Sequence, residues 1–414
     1  MLHPKMAHVY VGVDTHRQTH TATIIDCFFE KLGGVTFRNR TPDFVRLEDE
    51  VGKHLSDGVT PIYGLEDCVA VGRELTIYLL GKGHIVKYVN PSLTKNERVS
   101  QASLHKTDSF DSLCVARILL SKLGQLPDAQ VDDKLWALTS LVTKRASLVR
   151  AGVRVKNQLH GYLSHHYPSY RRFFHVFDCK TALAFWEKYP SPSWLRGVGI
   201  IDFTKFLQKE SNNVYTIEKA CEILKLVTED GYVDSAMQEV SDTVVSLSVR
   251  QLRANNELIE TLEARIRALV PEFGYKLHTM KGIDYTTAAA LIAEIGDINR
   301  FSSPAKLAAY AGISPAEYSS GQSERNISNK RGNRNLNQLI FHLAVSQCNG
   351  SDRLRGGPFN SIFVEYYQKK ITEGKTKKQA IKCVMRRLVN IIYRLMKDKC
   401  EYRPPLNHRA KKSR

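Results

Sequence analysis

The sequence predicts an α/β domain followed by a helical remainder, and three observations carry that prediction. Strand-like and helix-like patterns alternate over residues 7–125. Beyond about residue 126 the apolar period lengthens to that of long helices. The excess positive charge lies almost entirely at the C-terminal end, interleaved there with apolar helix faces.

Val9–Asp14, Thr21–Asp26 and Val35–Asn39 are apolar, β-branched runs that read as three successive strands. Thr41-Pro-Asp then opens a helix through Leu55, with Thr41 as the cap ahead of Pro42. A fourth strand, Ile62-Tyr-Gly-Leu-Glu66, leads into a helix over about Ala70–Lys82, and Ile85–Asn90 forms a fifth strand before Pro91. Lys106-Thr-Asp-Ser-Phe-Asp-Ser-Leu begins a further helix. Three strands in succession followed by strand–helix alternation is the pattern of a mixed sheet covered by helices. It suits a ribonuclease-H-like sheet better than a fully parallel nucleotide-binding one.

The helical region 126–270 has two long helices, about Asp132–Tyr167 and Ser235–Leu269, with a small helical insert at about 168–235. In the second helix Val240, Val244, Leu247, Leu258, Leu262 and Leu269 fall on one stripe at 100° per residue. The stripe is a coiled-coil-like seam, pairing with the first long helix or with another subunit; an intramolecular hairpin satisfies the periodicity equally. A C-terminal domain follows over 271–400, with a basic tail at 401–414. Its segment Met280–Gly296 has the shape of a helix-hairpin-helix, which presents backbone N–H groups to a phosphate, although a packed helix pair has the same pattern.

Composition narrows the function. The 414 residues contain no run long enough to span a membrane, and the N-terminus leads almost directly into the first strand without a secretory signal, so a cytoplasmic protein is expected. Eight scattered cysteines form neither a Cys-x-x-Cys pair nor a zinc-spaced cluster. Net charge is +18, and residues 321–414 supply +16 of it, with 22 Lys/Arg against 6 Asp/Glu. Such asymmetry fits a polyanion, because neutralised phosphates release counterions.

Four carboxylates carry the chemistry. Asp14 and Glu66 end predicted strands, and Asp108 and Asp111 stand three apart on one face of a helix start. Carboxylates converging from separate elements can hold Mg²⁺, and paired ions stabilise the attacking and leaving oxygens of a phosphodiester displacement. Asp67 and Glu97 read as surface residues. Further on, Tyr310–Ser323 is hydroxyl-rich and followed at once by Arg325, Lys330, Arg331 and Arg334. A serine attacking a phosphate needs such cations nearby. Ser320, before Gly321, fits that need, with Ser319, Ser323 and Ser328 as equal candidates on physics alone.

Together these residues resemble the transposases of the insertion sequence 110 family, relatives of the Piv invertase. The resemblance rests on Gly12-Val-Asp14, Gly64-Leu-Glu66, Val89-Asn-Pro91 and Lys106-Thr-Asp-x-x-Asp111 at one end of the chain. At the other end it rests on Gly282-Ile-Asp, Ala293–Phe301, Tyr310–Pro315, Ser320-Gly321 and Ser328–Gly332. It implies a RuvC-like "DEDD" domain with Asp14, Glu66, Asp108 and Asp111 as acidic ligands of Mg²⁺ (Mn²⁺ as the alternative), and Ser320 as nucleophile. It further implies a homo-oligomer with active sites composed across subunits, acting on donor and target DNA in a prokaryotic nucleoid. A noncoding bridge RNA would act as guide. One departure is Cys68, where many relatives have Thr followed by Gly.

The sequence thus predicts a Mg²⁺-dependent transposase or recombinase working through a covalent serine–DNA intermediate. The rivals are a Holliday-junction-resolvase-like nuclease using water, a site-specific DNA invertase, and a nucleic-acid-binding protein with a decayed site. An actin-like ATPase fits worst, for want of Gly-rich phosphate loops.

Overall fold

Val9 to Asp14 are all buried because β1 (His8–Thr15) is the middle strand of a five-stranded sheet. β2 (Thr19–Ile25) and β3 (Lys31–Arg38) extend the sheet antiparallel on one side of β1. After α1 (Val45–Gly52), β4 (Thr60–Leu65) pairs parallel to β1 on the other side. α2 (Arg73–Gly81) then leads to β5 (Ile85–Tyr88), parallel to β4, and completes the order β3-β2-β1-β4-β5. This mixed sheet, three antiparallel strands followed by two parallel ones, is the arrangement expected from the strand succession. The computed structural model describes residues 3–101, 107–232, 236–314, 316–320, 323–327, 332–349 and 360–404.

The period of two along each strand sorts the side chains. Val9, Val11, Val13, Tyr63 and Leu65 join Leu47, Leu75 and Leu79 in one buried cluster, against α1 and α2. Tyr10, Ile25 and Ile62 face the opposite side, against α4 (Asp108–Lys122), which contributes Val115, Ile118 and Leu119. A helix the sequence reading did not anticipate, α3 (Pro91–Ser100), precedes α4, with Asn90 capping it and Pro91 at its first position.

Gly12 and Gly64 are paired in register between β1 and β4 on the α4 face. A Cβ on Gly12 would lie 2.2 Å from the backbone N of Ala116 and 2.3 Å from the carbonyl O of Ser112. The helix therefore rests on the bare backbone of β1, fastened by a 2.7 Å hydrogen bond between the Thr23 and Ser112 hydroxyls. Backbone against Cβ has no flexible partner to yield. Gly12→Ala is expected to destabilise the domain by about 3 kcal/mol or more, read by urea denaturation; a loss below about 1 kcal/mol would contradict this close approach.

Contacts divide the chain after Trp136, and the remainder, residues 137–414, forms a second unit. α5 (Asp133–His166) and α9 (Gln238–Leu269) run antiparallel as a helical hairpin: Arg145 bonds Glu263, Gly152 lies opposite Asn255, and His166 meets Gln238. Between them in sequence come α6 (Lys180–Lys188), α7 (Ile200–Ser211) and α8 (Ile217–Asp230). The aromatic-rich stretch is their core: Tyr167, Phe173, Phe185, Trp186 and Phe203 are fully buried against Val245, Val249 and Leu252 of α9.

That packing decides between the partners open to the seam, by excluding α5. The face of α9 turned inward carries Val245, Val249, Leu252 and Ile266, whereas Val240, Leu247 and Leu258 are 60%, 57% and 51% exposed. The regular stripe is not the contact with α5. The aromatic core of the insert selects a different face, which periodicity could not reveal.

The unit continues with α10 (Tyr285–Ile295), α11 (Pro304–Tyr310), the two-stranded ribbon β6 (Ala316–Ser320) and β7 (Ser323–Ile327), α12 (Arg334–Asn349), α13 (Ser361–Thr372) and α14 (Lys377–Lys397). The limb before α10 is a single 3-10 turn, Leu277–Thr279, rather than a full helix. Asp284 caps α10, accepting from the Thr287 amide at 2.7 Å. No described helix is long and apolar enough to cross a membrane.

Candidate active site

The same alternation that buries Tyr10 and Gly12 against α4 places Asp14 on that face, at the end of β1 and 7% exposed. Glu66 follows Gly64 by two residues just beyond the parallel strand β4. α4 starts beside them. Thr107 caps it by accepting from the Phe110 amide at 3.2 Å, so Asp108 and Asp111 occupy its first turn, where the helix dipole favours negative charge. Asp108 is exposed and Asp111 is 8% exposed.

These carboxylates share one electrostatic field. Asp14 titrates above its ordinary range, first because of burial and then because Glu66, Asp111 and Asp108 all add negative charge near it; His16 opposes them. The His16 Nε2 lies 3.1 Å from Asp14 Oδ2 and 3.5 Å from Asp108 Oδ1. Asp14, His16 and Asp108 offer ligand atoms all within 4.8 Å of one another. On the other flank Arg98 Nη1 of α3 donates to Asp111 Oδ1 at 2.6 Å. The structure thus brings Asp14 and Asp108 within ligand reach of each other and of His16, while Glu66 and the Arg98-bonded Asp111 act on Asp14 through their charge. The donors, mostly oxygen with one imidazole, fit Mg²⁺ and accommodate Mn²⁺ more readily than a purely oxygen set would.

The second sequence-predicted group lies on the other unit. Ser320 ends β6 and pairs across the ribbon with Ser323, while Ser319 pairs with Glu324 and Tyr318 with Arg325. Ser328, Lys330 and Arg331 fall outside the described residues. Arg334 is exposed at the first position of α12.

A family model described as "Transposase IS116/IS110/IS902 family" matches residues 274–355, and a DEDD transposase model of IS110 type matches residues 11–168. The chain belongs to the IS110 family of transposases. It is 25% identical over 406 residues to an uncharacterized 44.8 kDa protein of insertion element IS116 from Streptomyces clavuligerus, covering 96% of each chain. Over 407 residues it is also 25% identical to an uncharacterized 42 kDa protein of insertion element IS900 from Mycobacterium paratuberculosis, covering 96% of this chain and 97% of the relative. A pilin gene-inverting protein of Moraxella lacunata is 22% identical over 398 residues, covering 95% and 97% respectively. Membership makes this a DNA-cleaving and recombining enzyme, and a DEDD domain implies dependence on a divalent metal.

Within this IS110-family chain the sequence reading passed over His16 and Arg98. His16 lies two residues past Asp14, just beyond β1, and only the turn back into β2 returns its ring to Asp14. Arg98 sits on the unanticipated helix, ten residues before Asp108 in sequence. Asp67, read as a surface residue, is partly exposed and also organises the loop after Glu66, accepting from the amides of Val69, Ala70 and Val71. Cys68 turns away from the acidic cluster into the sheet core, and burial pushes its thiol up to about 12.

The ribbon is held at its base by polar bonds. Glu294 of α10 accepts from Asn333 at 2.7 Å and Asn335 at 3.0 Å, one on each carboxylate oxygen. The Asn333 amide donates to the Tyr310 carbonyl at 2.7 Å, and its side-chain oxygen caps α12 by accepting from Leu336 N at 2.9 Å. Gly332, at φ +133°, approaches Gly312 so closely that a Cβ there would lie 2.7 Å from the Gly312 N. The two ends of segment 312–332 are therefore stapled together. Asn333→Ala removes a cap and leaves Glu294 without one donor, an expected loss of about 2 kcal/mol. Equilibrium unfolding measures it, and a loss under about 0.5 kcal/mol would show the staple to be unimportant.

Proposed function

We propose that the chain is an insertion-sequence transposase that cleaves and exchanges DNA strands through a covalent bond to Ser320, with Mg²⁺ held by Asp14, Glu66, Asp108 and Asp111. The observation that supports it best is that Asp14, at a strand end, lies within ligand reach of Asp108 at a helix start and feels the charges of Glu66 and Asp111. Divalent ions bound there would supply the charge that stabilises the attacking and leaving oxygens of a phosphodiester displacement.

In this reading Asp14 and Glu66, rigidly mounted on neighbouring parallel strands, fix the site, and α4 adds Asp108 and Asp111 from the side. Arg98 orients Asp111, and His16 orients Asp14 and Asp108. The Ser320 hydroxyl attacks the scissile phosphorus, forming a serine–phosphate bond as one strand-end oxygen leaves with a proton. The hydroxyl end of the exchange strand then attacks that phosphate, restoring the phosphodiester and returning the proton to the serine oxygen. Bond number is conserved, so no external energy source is needed. Arg325, Lys330, Arg331 and Arg334 hold the backbone. For Arg334 the helix supports this role, since a cation at a helix N-terminus is unfavourable unless an anion compensates it.

The exposed stripe of Val240, Leu247 and Leu258 supports a homo-oligomer, in which sites are composed across subunits. A noncoding guide RNA follows from the family resemblance. The full-length similarity to a pilin gene-inverting protein favours DNA inversion as a second outcome of the same chemistry. The deciding test incubates the protein with Mg²⁺, element-end DNA and its noncoding RNA, traps protein–DNA adducts, and maps the attachment by mass spectrometry. Attachment at Ser320 supports the proposal; cleavage with no adduct replaces it with a water-using nuclease.

A further inference from the structure

Residues 134–177 contain eight Lys/Arg and no Asp or Glu. α5 occupies most of that stretch, and the structure shows which of its cations are already neutralised. Arg145 is paired with Glu263 of α9, and Lys156 is paired with Asp178. Lys144, Arg150 and Arg154 are exposed, and none has a carboxylate within ion-pair distance among the described residues. At 100° per residue Arg150, Arg154, Asn157, Gln158 and His165 share one exposed face, turned away from Val155, Leu159 and Leu163, which enter the aromatic core. Lys144 borders the same face and extends it to about 32 Å, close to one turn of B-DNA.

A solvated cationic face would normally carry i,i+4 carboxylates to relieve its own repulsion. This face has none, so its charge is uncompensated in the free protein. It presents no exposed aromatic ring between Lys144 and His165, as single-strand binding by base stacking would require. A helix with Arg, Asn and Gln on its outer side fits the B-form major groove, which is wide enough to admit a helix; the A-form groove of duplex RNA is not. We infer that the outer face of α5 is a docking surface for duplex DNA, with Arg150 and Arg154 on the phosphodiester backbone. This extends the proposed function, resting on its reading of DNA as substrate, to a region distinct from the basic C-terminal end.

The test uses full-length protein and a fluorescent 30-base-pair DNA duplex of arbitrary sequence, with anisotropy recorded across a potassium chloride series. The Arg150→Gln/Arg154→Gln variant is expected to reduce the slope of log K against log salt by about 2, one unit for each lost phosphate contact. Arg145→Gln, whose charge faces Glu263, is expected to leave the slope unchanged. An unaltered slope in a double variant that retains its melting temperature overturns the inference. So does a change seen only with a duplex RNA of the same length, or a changed oligomeric state on size exclusion, which would put the face between subunits. Absence of duplex binding by an unmodified protein that still forms the Ser320 adduct with its noncoding RNA overturns the inference alone, whereas absence of both binding and adduct removes the proposed function on which it rests.

Discussion

Asp14→Asn is expected to reduce Mg²⁺-dependent strand cleavage on the order of 10³-fold or more, the scale on which a lost electrostatic partner of a transition state is measured. Asn keeps the volume and an oxygen toward His16, so the fold remains. It removes one of four charges whose mutual repulsion, added to burial, already holds the Asp14 carboxyl above its ordinary value of 3.8. The sign of the stability effect follows from that direction. A carboxyl whose folded pKa is raised favours the protonated form on folding. Its contribution is therefore fully present below pH 3.8 and is lost as pH rises through the higher folded value. At neutral pH and without metal, the Asn variant should melt at the same temperature as the unmodified protein or higher. Added Mg²⁺ should raise the melting temperature of the unmodified protein above that pH window and have little effect on the variant. Retention of a tenth of the cleavage rate, or an undiminished Mg²⁺ response, would remove Asp14 from the site.

The strands and both long helices could be read from the sequence because each is an apolar run with a single period. Successive side chains of Val9–Asp14 and Ile62–Glu66 point to opposite sheet faces, so the face that Asp14 and Glu66 occupy follows from Gly12 and Gly64 once α4 is known to lie on it. The acidic first turn of α4 is likewise legible in Asp108 and Asp111. What the chain does not advertise is contact between segments. α3 is polar, short and introduced by an Asn-Pro that also reads as a strand end, so Arg98 and its bond to Asp111 were missed. His16 meets Asp14 only through the β1–β2 turn. On α9 two apolar faces compete, and the aromatic core contributed by Phe173, Phe185 and Trp186 decides which is buried. The ribbon β6–β7 is polar on most positions, and nothing in its period separates a strand pair from a loop.

Ser320→Ala is expected to abolish the protein–DNA adduct entirely, because an alanine has no oxygen with which to form the phosphate bond. Recombination should be lost with it, by about 10⁴-fold or more, as when the nucleophile of a covalent mechanism is removed. The comparison that gives this weight is within the ribbon itself. Ser320 and Ser323 are cross-strand partners and Ser319 is the preceding residue, so all three belong to one local structure held by the Glu294–Asn333 staple. Ser319→Ala and Ser323→Ala remove neighbouring hydroxyls but leave the proposed oxygen, and both should retain the adduct. Binding of the DNA should be unchanged in all three, since the hydroxyl carries no charge to the phosphate. Loss of the adduct in Ser323→Ala but not Ser320→Ala would move the nucleophile across the ribbon. If Ser320→Ala instead cleaves DNA at the normal rate, the acidic cluster is working with water. Asp14, Glu66, Asp108 and Asp111 would then stand as a nuclease site in their own right, and the serine would have no part in breaking the strand.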